Sequence, residues 1–197
     1  MTRVIGDITV SLDGFVTGPD PGPERGLGRG GEPLHAWVFS DDPVDREVVA
    51  AATERSGAVI MGRRLFDVVD GPHGWTDEVG YGARHAAKPP FFVLTAVPPA
   101  SVRLQLDLDF VTDGAEAAVA RARAAASGRG DVVVMGGGTT VGSLLAAGLL
   151  DALVLHWAPL TLGAGTPLFD EVGAVRLAQR WVRPSSDAVH VEYDVVV

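Results

Sequence analysis

Cysteine is absent from the 197-residue chain, and that absence removes whole classes of chemistry. Disulfide scaffolds, thiolate zinc sites, thiol redox catalysis and iron–sulfur clusters all require a thiol. Nucleobase deaminases that hold zinc with one His and two Cys are excluded for the same reason. Lysine is nearly absent too: Lys88 stands alone, so arginine carries the remaining basic charge. Sixteen basic against 25 acidic residues leave a net charge of −9. That balance argues against nucleic-acid backbones and anionic membranes as partners, since both need clustered cations. The most hydrophobic stretch, 144–162, is cut by Asp151 and His156, short of the roughly 18 apolar residues of a membrane span. The first ten residues carry Arg3 and Asp7 and lack the apolar centre of a signal peptide. A soluble, cytoplasmic protein is therefore expected.

Hydrophobic residues make up 47% of the chain and charged residues 21%, too apolar a balance for a disordered polymer. A chain of this length buries about two-thirds to three-quarters of its unfolded surface, so one domain over residues 1–197 is the expectation. Residues 3–12, 58–61, 91–95, 108–112, 131–135 and 152–160 read as short apolar strands. Further strands are expected near 175–183 and 187–197. Asp42-Pro43 caps a helix running to about residue 55, and Gly62-Arg63-Arg64 opens another to about Val69. Helices are also expected over 113–127 and 139–149. Strands alternating with helices up to residue 149 imply right-handed parallel crossovers and a sheet covered on both faces. The last three strands, with no helices between them, are expected to be antiparallel or edge additions. Residues 18–33, dense in Gly and Pro, form a loop that is either functional or disordered, and the aromatic segment 34–39 favours packing.

The sharpest motif is Gly136-Gly137-Gly138-Thr139-Thr140, at a strand-to-helix turn. Successive glycines admit positive φ and close approach of a ligand to bare backbone, and the helix start offers N–H groups to a phosphate. It is neither a Rossmann fingerprint nor a P-loop, because Val141 fills the third glycine position and no Gly-Lys pair exists. Gly62-Arg63-Arg64 is a second such junction, with guanidiniums suited to bidentate phosphate contact. Two junctions in one sheet suit a ligand with two separated phosphate groups. Thr95 offers a hydroxyl at the same carboxyl edge, where open α/β sheets bind ligands. Asp13 could hold a ligand or make an Asx turn, and Asp45 could serve the site or the helix dipole. His35, His73, His85, His156 and His190 show no metal-ligand spacing, so no metal is expected.

The ordered set Ser11-Leu12-Asp13-Gly14-Phe15-Val16, Val59-Ile60-Met61-Gly62-Arg63-Arg64 and Val134-Met135-Gly136-Gly137-Gly138 resembles the dihydrofolate reductase-like superfamily. Within it, the chain is most similar to stand-alone relatives of the reductase domain of bacterial riboflavin biosynthesis. Residues 160–169 look like that family's late loop. The resemblance implies an α/β fold: three layers, a mostly parallel twisted sheet with helices on both faces, and antiparallel C-terminal strands. It implies NADPH as cofactor and often a homodimer. By matching position, Gly136, Gly137, Gly138, Thr139 and Thr140 would cradle the pyrophosphate, with Gly62 at the facing junction. Arg63 and Thr95 would face the 2′-phosphate, Arg64 would help capture the phosphate-bearing cofactor, and Val16 and Thr17 would lie by the nicotinamide.

The expected activity is NADPH-dependent hydride transfer to a small heteroaromatic, pterin-like or ribosylamino-pyrimidinone-like substrate. Phe15, Trp37 and Phe66 are the stacking candidates, Asp13 a substrate ligand and Asp45 the candidate proton donor. The alternative is a non-catalytic nucleotide-binding or dimerisation module that keeps the phosphate cradle.

Overall fold

The computed structural model describes residues 2–76, 79–81 and 88–196. His85 and Val197, named above, lie outside the described residues. The chain opens with β1 (Val4–Ser11), β2 (Phe15–Thr17) and a 3₁₀ helix (Glu32–Phe39), then α1 (Pro43–Glu54), β3 (Ser56–Gly62) and α2 (Arg63–Val69). β4 (Phe91–Leu94), β5 (Leu108–Val111), α3 (Ala115–Ala126), β6 (Asp131–Val134), α4 (Gly138–Ala146) and β7 (Ala152–Ala158) follow. β8 (Thr166–Pro167), β9 (Arg176–Pro184) and β10 (Val189–Val196) complete the order.

The main sheet runs β5-β4-β3-β6-β1-β7-β10-β9. From β5 to β7 every pairing is parallel, while β10 joins β7 and β9 antiparallel. One expectation is corrected here. The strand at 152–160 is parallel to β1 and lies inside the sheet, because α4 carries the chain over from β6 before β7 begins. Within the main sheet, among the described residues, the antiparallel pairings are those of β10 with β7 and β9, the two last strands following without a helix, and β2 and β8 form a separate antiparallel ribbon.

Alternation along the strands assigns the core. Along β3, Ala58 and Ile60 pack with Val132, Val134, Ala122 and Leu144, while Val59 and Met61 face Phe66, Phe91 and Val93. Each fully buried aliphatic or aromatic side chain contributes about 1.5–3 kcal/mol. Gly57 and the alanines of α3 keep that helix close: a Cβ on Gly57 would stand 2.9 Å from Ala126 Cβ. At the start of α1 the Asp42 carboxylate accepts the Val44 N–H at 2.8 Å, the cap anticipated from Asp42-Pro43.

The Gly/Pro-rich loop is folded back on itself. Gly18 N–H donates to Leu27 O at 2.8 Å and Arg29 N–H to Pro19 O at 2.9 Å. Gly28, at φ +80, lies where a Cβ would run into backbone oxygens of Gly18 and Pro19, so that position admits only glycine. The 3₁₀ helix that follows buries Leu34 and Trp37. Among the described residues, no helix is long and apolar enough to cross a membrane.

Candidate active site

β1, β3 and β6 end at one edge of the sheet, and there a cleft of about 920 Å³ opens. Its volume falls in the range of small-molecule sites, about 300–1,000 Å³. One wall is the turn between β6 and α4. Gly136 has φ +120, and the Gly136–Gly137 peptide bond is cis. Gly137 caps α4 with no side-chain hydrogen bond; the Thr140 N–H turns back to the Gly137 carbonyl at 2.9 Å, and the Gly138 and Thr139 N–H groups have no partner among the described residues. A Cβ on Gly137 would meet nothing within 4 Å, whereas one on Gly138 would run into Val16 Cγ2. The turn therefore presents open backbone at 137 and is braced against β2 at 138. Such a surface fits a phosphate group held by backbone N–H groups.

The second wall is α2. A Cβ on Gly62 would strike Thr140 Oγ1, so the two strand-to-helix junctions touch. Arg63 is held in place: its Nε donates to Asp67 Oδ1 at 2.7 Å, and its Nη1 reaches Thr95 Oγ1 at 3.4 Å and the Val97 carbonyl. Arg64 is exposed and has no ion-pair partner among the described residues. Val16, Thr17, Gly62, Arg63, Arg64, Phe66, and the run from Gly136 to Thr140 all line the same cleft. Thr95 stands just behind it, its hydroxyl spent on Val97 O at 2.7 Å.

Of the four expected substrate residues, Asp13, Phe15 and Trp37 lie elsewhere. Asp13 accepts from Ser11 Oγ at 2.6 Å and from the N–H groups of Leu162 and Gly163 at 3.1 and 2.7 Å. Its carboxylate, held below the usual range by those donors, fastens the β1–β2 turn to the loop after β7. Phe15 pairs with Pro167 in the small β2–β8 ribbon. Trp37 is buried, and its indole N–H donates to Thr9 Oγ1 at 3.0 Å. Phe66 does line the cleft but is 1% exposed, with its ring edge-on to Phe110 at 5.1 Å, so it serves mainly as core.

Asp45 is corrected as the candidate proton donor: it is wholly buried, does not line the cleft, and is bound to His190. It ends a chain that sequence spacing could not reveal. Asp45 Oδ1 lies 2.8 Å from His190 Nε2, His190 Nδ1 lies 2.7 Å from His156 Nδ1, and His156 Nε2 lies 2.9 Å from Asp7 Oδ1. Arg55 contacts the other Asp7 oxygen at 2.9 Å. Although burial opposes its charge, Asp7 is pushed below its usual value by His156 and Arg55. Burial pushes His190 down despite its bond to Asp45. Trp37 lies over the pair, 4.1 Å from the His156 ring and 4.9 Å from His190. His35, singled out for no role by its spacing, lines the cleft.

The family model for the RibD C-terminal domain matches residues 2–191. A comparison with curated proteins finds no match. Among solved structures, a putative riboflavin biosynthesis protein from Shewanella sp. PV-4 is similar, with a TM-score of 0.71 and 22% identity over 100% of both chains. Acinetobacter baumannii RibD aligns at 0.68 and 16% identity, covering 100% of this chain and 59% of that one. Dihydrofolate reductase from Enterococcus faecalis, complexed with NADP(H) and RAB-propyl, aligns at 0.55 and 16% identity over 98% and 96%. At these identities the likeness bears on fold. The sheet order, the glycine turn and the match over residues 2–191 agree: the chain belongs to the RibD C-terminal domain family and has the dihydrofolate reductase-like fold.

Proposed function

We propose that this protein is an NADPH-dependent reductase of a small heteroaromatic compound, pterin-like or ribosylamino-pyrimidinone-like. Family membership supports an oxidoreductase. The observation that carries the reading is the open glycine turn facing two arginines across one cleft. Gly136 to Thr140 would hold the pyrophosphate with backbone N–H groups, and Arg63 and Arg64 would take the 2′-phosphate. Val16 and Thr17 would flank the nicotinamide. NADPH supplies the hydride when bound. The chain's own contribution is to orient both reactants and keep water from them, with apolar walls at Ile8, Val16 and Leu27.

The non-catalytic module has one observation in its favour. Among the described residues, Asp67 and Asp70 are the carboxylates lining the cleft; Asp67 is bound to Arg63, and Asp70 accepts the N–H groups of Arg103 and Leu104. Neither is free to protonate a substrate.

Fluorescence titration with NADPH and NADH, followed by oxidation assays with dihydrofolate and a ribosylamino-pyrimidinone, separates the two. Tight NADPH binding with turnover is expected. No binding of either nucleotide refutes both readings, and binding without turnover across a broad panel favours the module. The homodimer implied by the resemblance belongs to the same proposal, and light scattering of the nucleotide-bound protein reads it out.

A further inference from the structure

Two hydroxyls meet where the β2–β8 ribbon borders the cleft. Phe15 pairs with Pro167 and Thr17 with Thr166, so β2 advances two residues while β8 advances one. Val16 is the extra residue of that bulge, and a bulge re-aims the side chains beside it. Regular alternation would set Gly165 opposite Thr17; the shifted register brings in Thr166 instead. Gly165 allows the close approach: at φ +141 it lies so near that a Cβ there would run into the Thr17 carbonyl. Thr17 Oγ1 then accepts the Thr166 N–H at 3.2 Å and lies 2.9 Å from Thr166 Oγ1. Both residues are half-buried and line the cleft, and neither hydroxyl has a further hydrogen-bond partner among the described residues.

We propose that the Thr17–Thr166 hydroxyl pair binds an amide group, the carboxamide of the nicotinamide ring. The proposal deepens the reductase reading, which sets Thr17 beside the nicotinamide, and rests on it.

The two hydroxyls hold two protons, and the contact between them uses one. If Thr17 donates to Thr166, the Thr166 proton is left to donate and the second Thr17 lone pair is left to accept. If Thr166 donates to Thr17, both Thr17 lone pairs are filled; the Thr17 proton is left to donate and Thr166 is left to accept. Each arrangement presents one donor and one acceptor on neighbouring oxygens. A carboxamide is the complement, since its carbonyl accepts and its N–H donates in one plane. An ionised phosphate oxygen has no proton to give and would leave the accepting hydroxyl unmatched. The ribbon also stands at the right end of the cleft. Val16 touches Gly138 of the glycine turn, so the hydroxyls lie beside that turn, on a different element from the arginines of α2. A cofactor with its 2′-phosphate at the arginines and its pyrophosphate at the turn would bring its nicotinamide to the ribbon. Two hydrogen bonds to the carboxamide fix the rotation of the ring, and with it the face offered to a substrate.

The test is calorimetric titration with NADP⁺ and with its 3-acetylpyridine analogue, in which a methyl group replaces the amide NH₂. The native protein should favour NADP⁺ by about tenfold, because the analogue leaves the accepting hydroxyl unpaired. Thr166→Val, left with one hydroxyl for both polar atoms, should narrow that ratio to less than about threefold. Thr166→Ser should keep the native ratio. A role confined to holding the ribbon together would weaken both ligands alike and leave the ratio where it was. An unchanged ratio in Thr166→Val, a lost ratio in Thr166→Ser, or a native protein indifferent to the amide overturns the proposal. Absence of binding of NADP⁺, its analogue and NADPH instead overturns the reductase reading, so the two failures are distinguishable.

Discussion

Replacing the two carboxylates of the buried chain by amides should have unequal consequences. Three hydrogen bonds link Asp7, His156, His190 and Asp45, and each needs one proton. An amide at position 45 can donate from Nδ2 into His190 Nε2, His190 into His156, and His156 into Asp7, so all three links persist. Its oxygen then replaces Asp45 Oδ2, which is buried without a partner. Asp45→Asn should therefore cost less than about 1 kcal/mol. Asp45→Ala strands His190 Nε2 and should cost about 1–3 kcal/mol. At the other end, Asp7→Asn removes the charge that faces Arg55 at 2.9 Å, and Arg55 keeps only the longer contact to Glu192 at 3.4 Å. Breaking a wholly buried ion pair costs about 3–5 kcal/mol. Because the Arg55 and Asp7 side chains are 25% and 14% exposed, about 2–4 kcal/mol is expected here. Urea unfolding at pH 7, followed by tryptophan fluorescence, measures all three, since Trp37 lies on the imidazoles. A cost for Asp45→Asn equal to that for Asp7→Asn would show that position 45 needs a charge, and the proton count above would be wrong.

The glycine turn gives a paired test. Gly138→Ala should lower stability by about 1–3 kcal/mol, because its Cβ meets Val16. Gly137→Ala, with open space and φ −68, should leave stability nearly unchanged yet weaken NADPH. Arg63→Ala should weaken NADPH about 10- to 100-fold and NADH less than about threefold, by titration; equal loss would remove Arg63 from the 2′-phosphate. The folded values of His35 and His190 lie below the unfolded value near 6.5, so the unfolded chain takes up protons first. Stability should be complete above pH 6.5 and fall toward pH 4. His35→Asn should reduce that slope by up to about one proton, as urea midpoints across this range would show.

The parts of this fold that sequence patterns reveal are those fixed by local periodicity. Runs such as Ala58 to Met61 and Val132 to Val134 are apolar throughout because both sheet faces are covered. Gly136 to Gly138 was legible because a strand-to-helix turn with bare backbone has few purposes. The direction of β7 was misjudged by counting helices after the strand, when α4 before it sets the crossover. Asp45 was misread because its partner is 145 residues away. At the sequence level it stood beside a helix start and suggested a site; in the fold, that same position faces inward. Trp37 and His35 show the same limit at shorter range. Both belong to one aromatic segment, and only the 3₁₀ period, invisible in composition, sends the first into the interior and the second into the cleft.

Electrostatics divides the arginine wall of the cleft between neighbouring residues. A net charge of −9 repels a phosphate-bearing ligand at distances up to about a Debye length, ~8 Å at physiological salt, so capture must come from charges closer than that. Arg63 contributes geometry: Asp67 and the Val97 carbonyl fix its guanidinium, and the Asp67 carboxylate offsets part of its charge. Arg64 contributes charge: it is exposed in the same cleft and no carboxylate neutralises it among the described residues. An arginine that is fixed but partly neutralised discriminates between ligands, and one that is free but unpaired attracts them. The first should therefore govern the choice between NADPH and NADH. The second should govern how steeply NADPH affinity falls with salt.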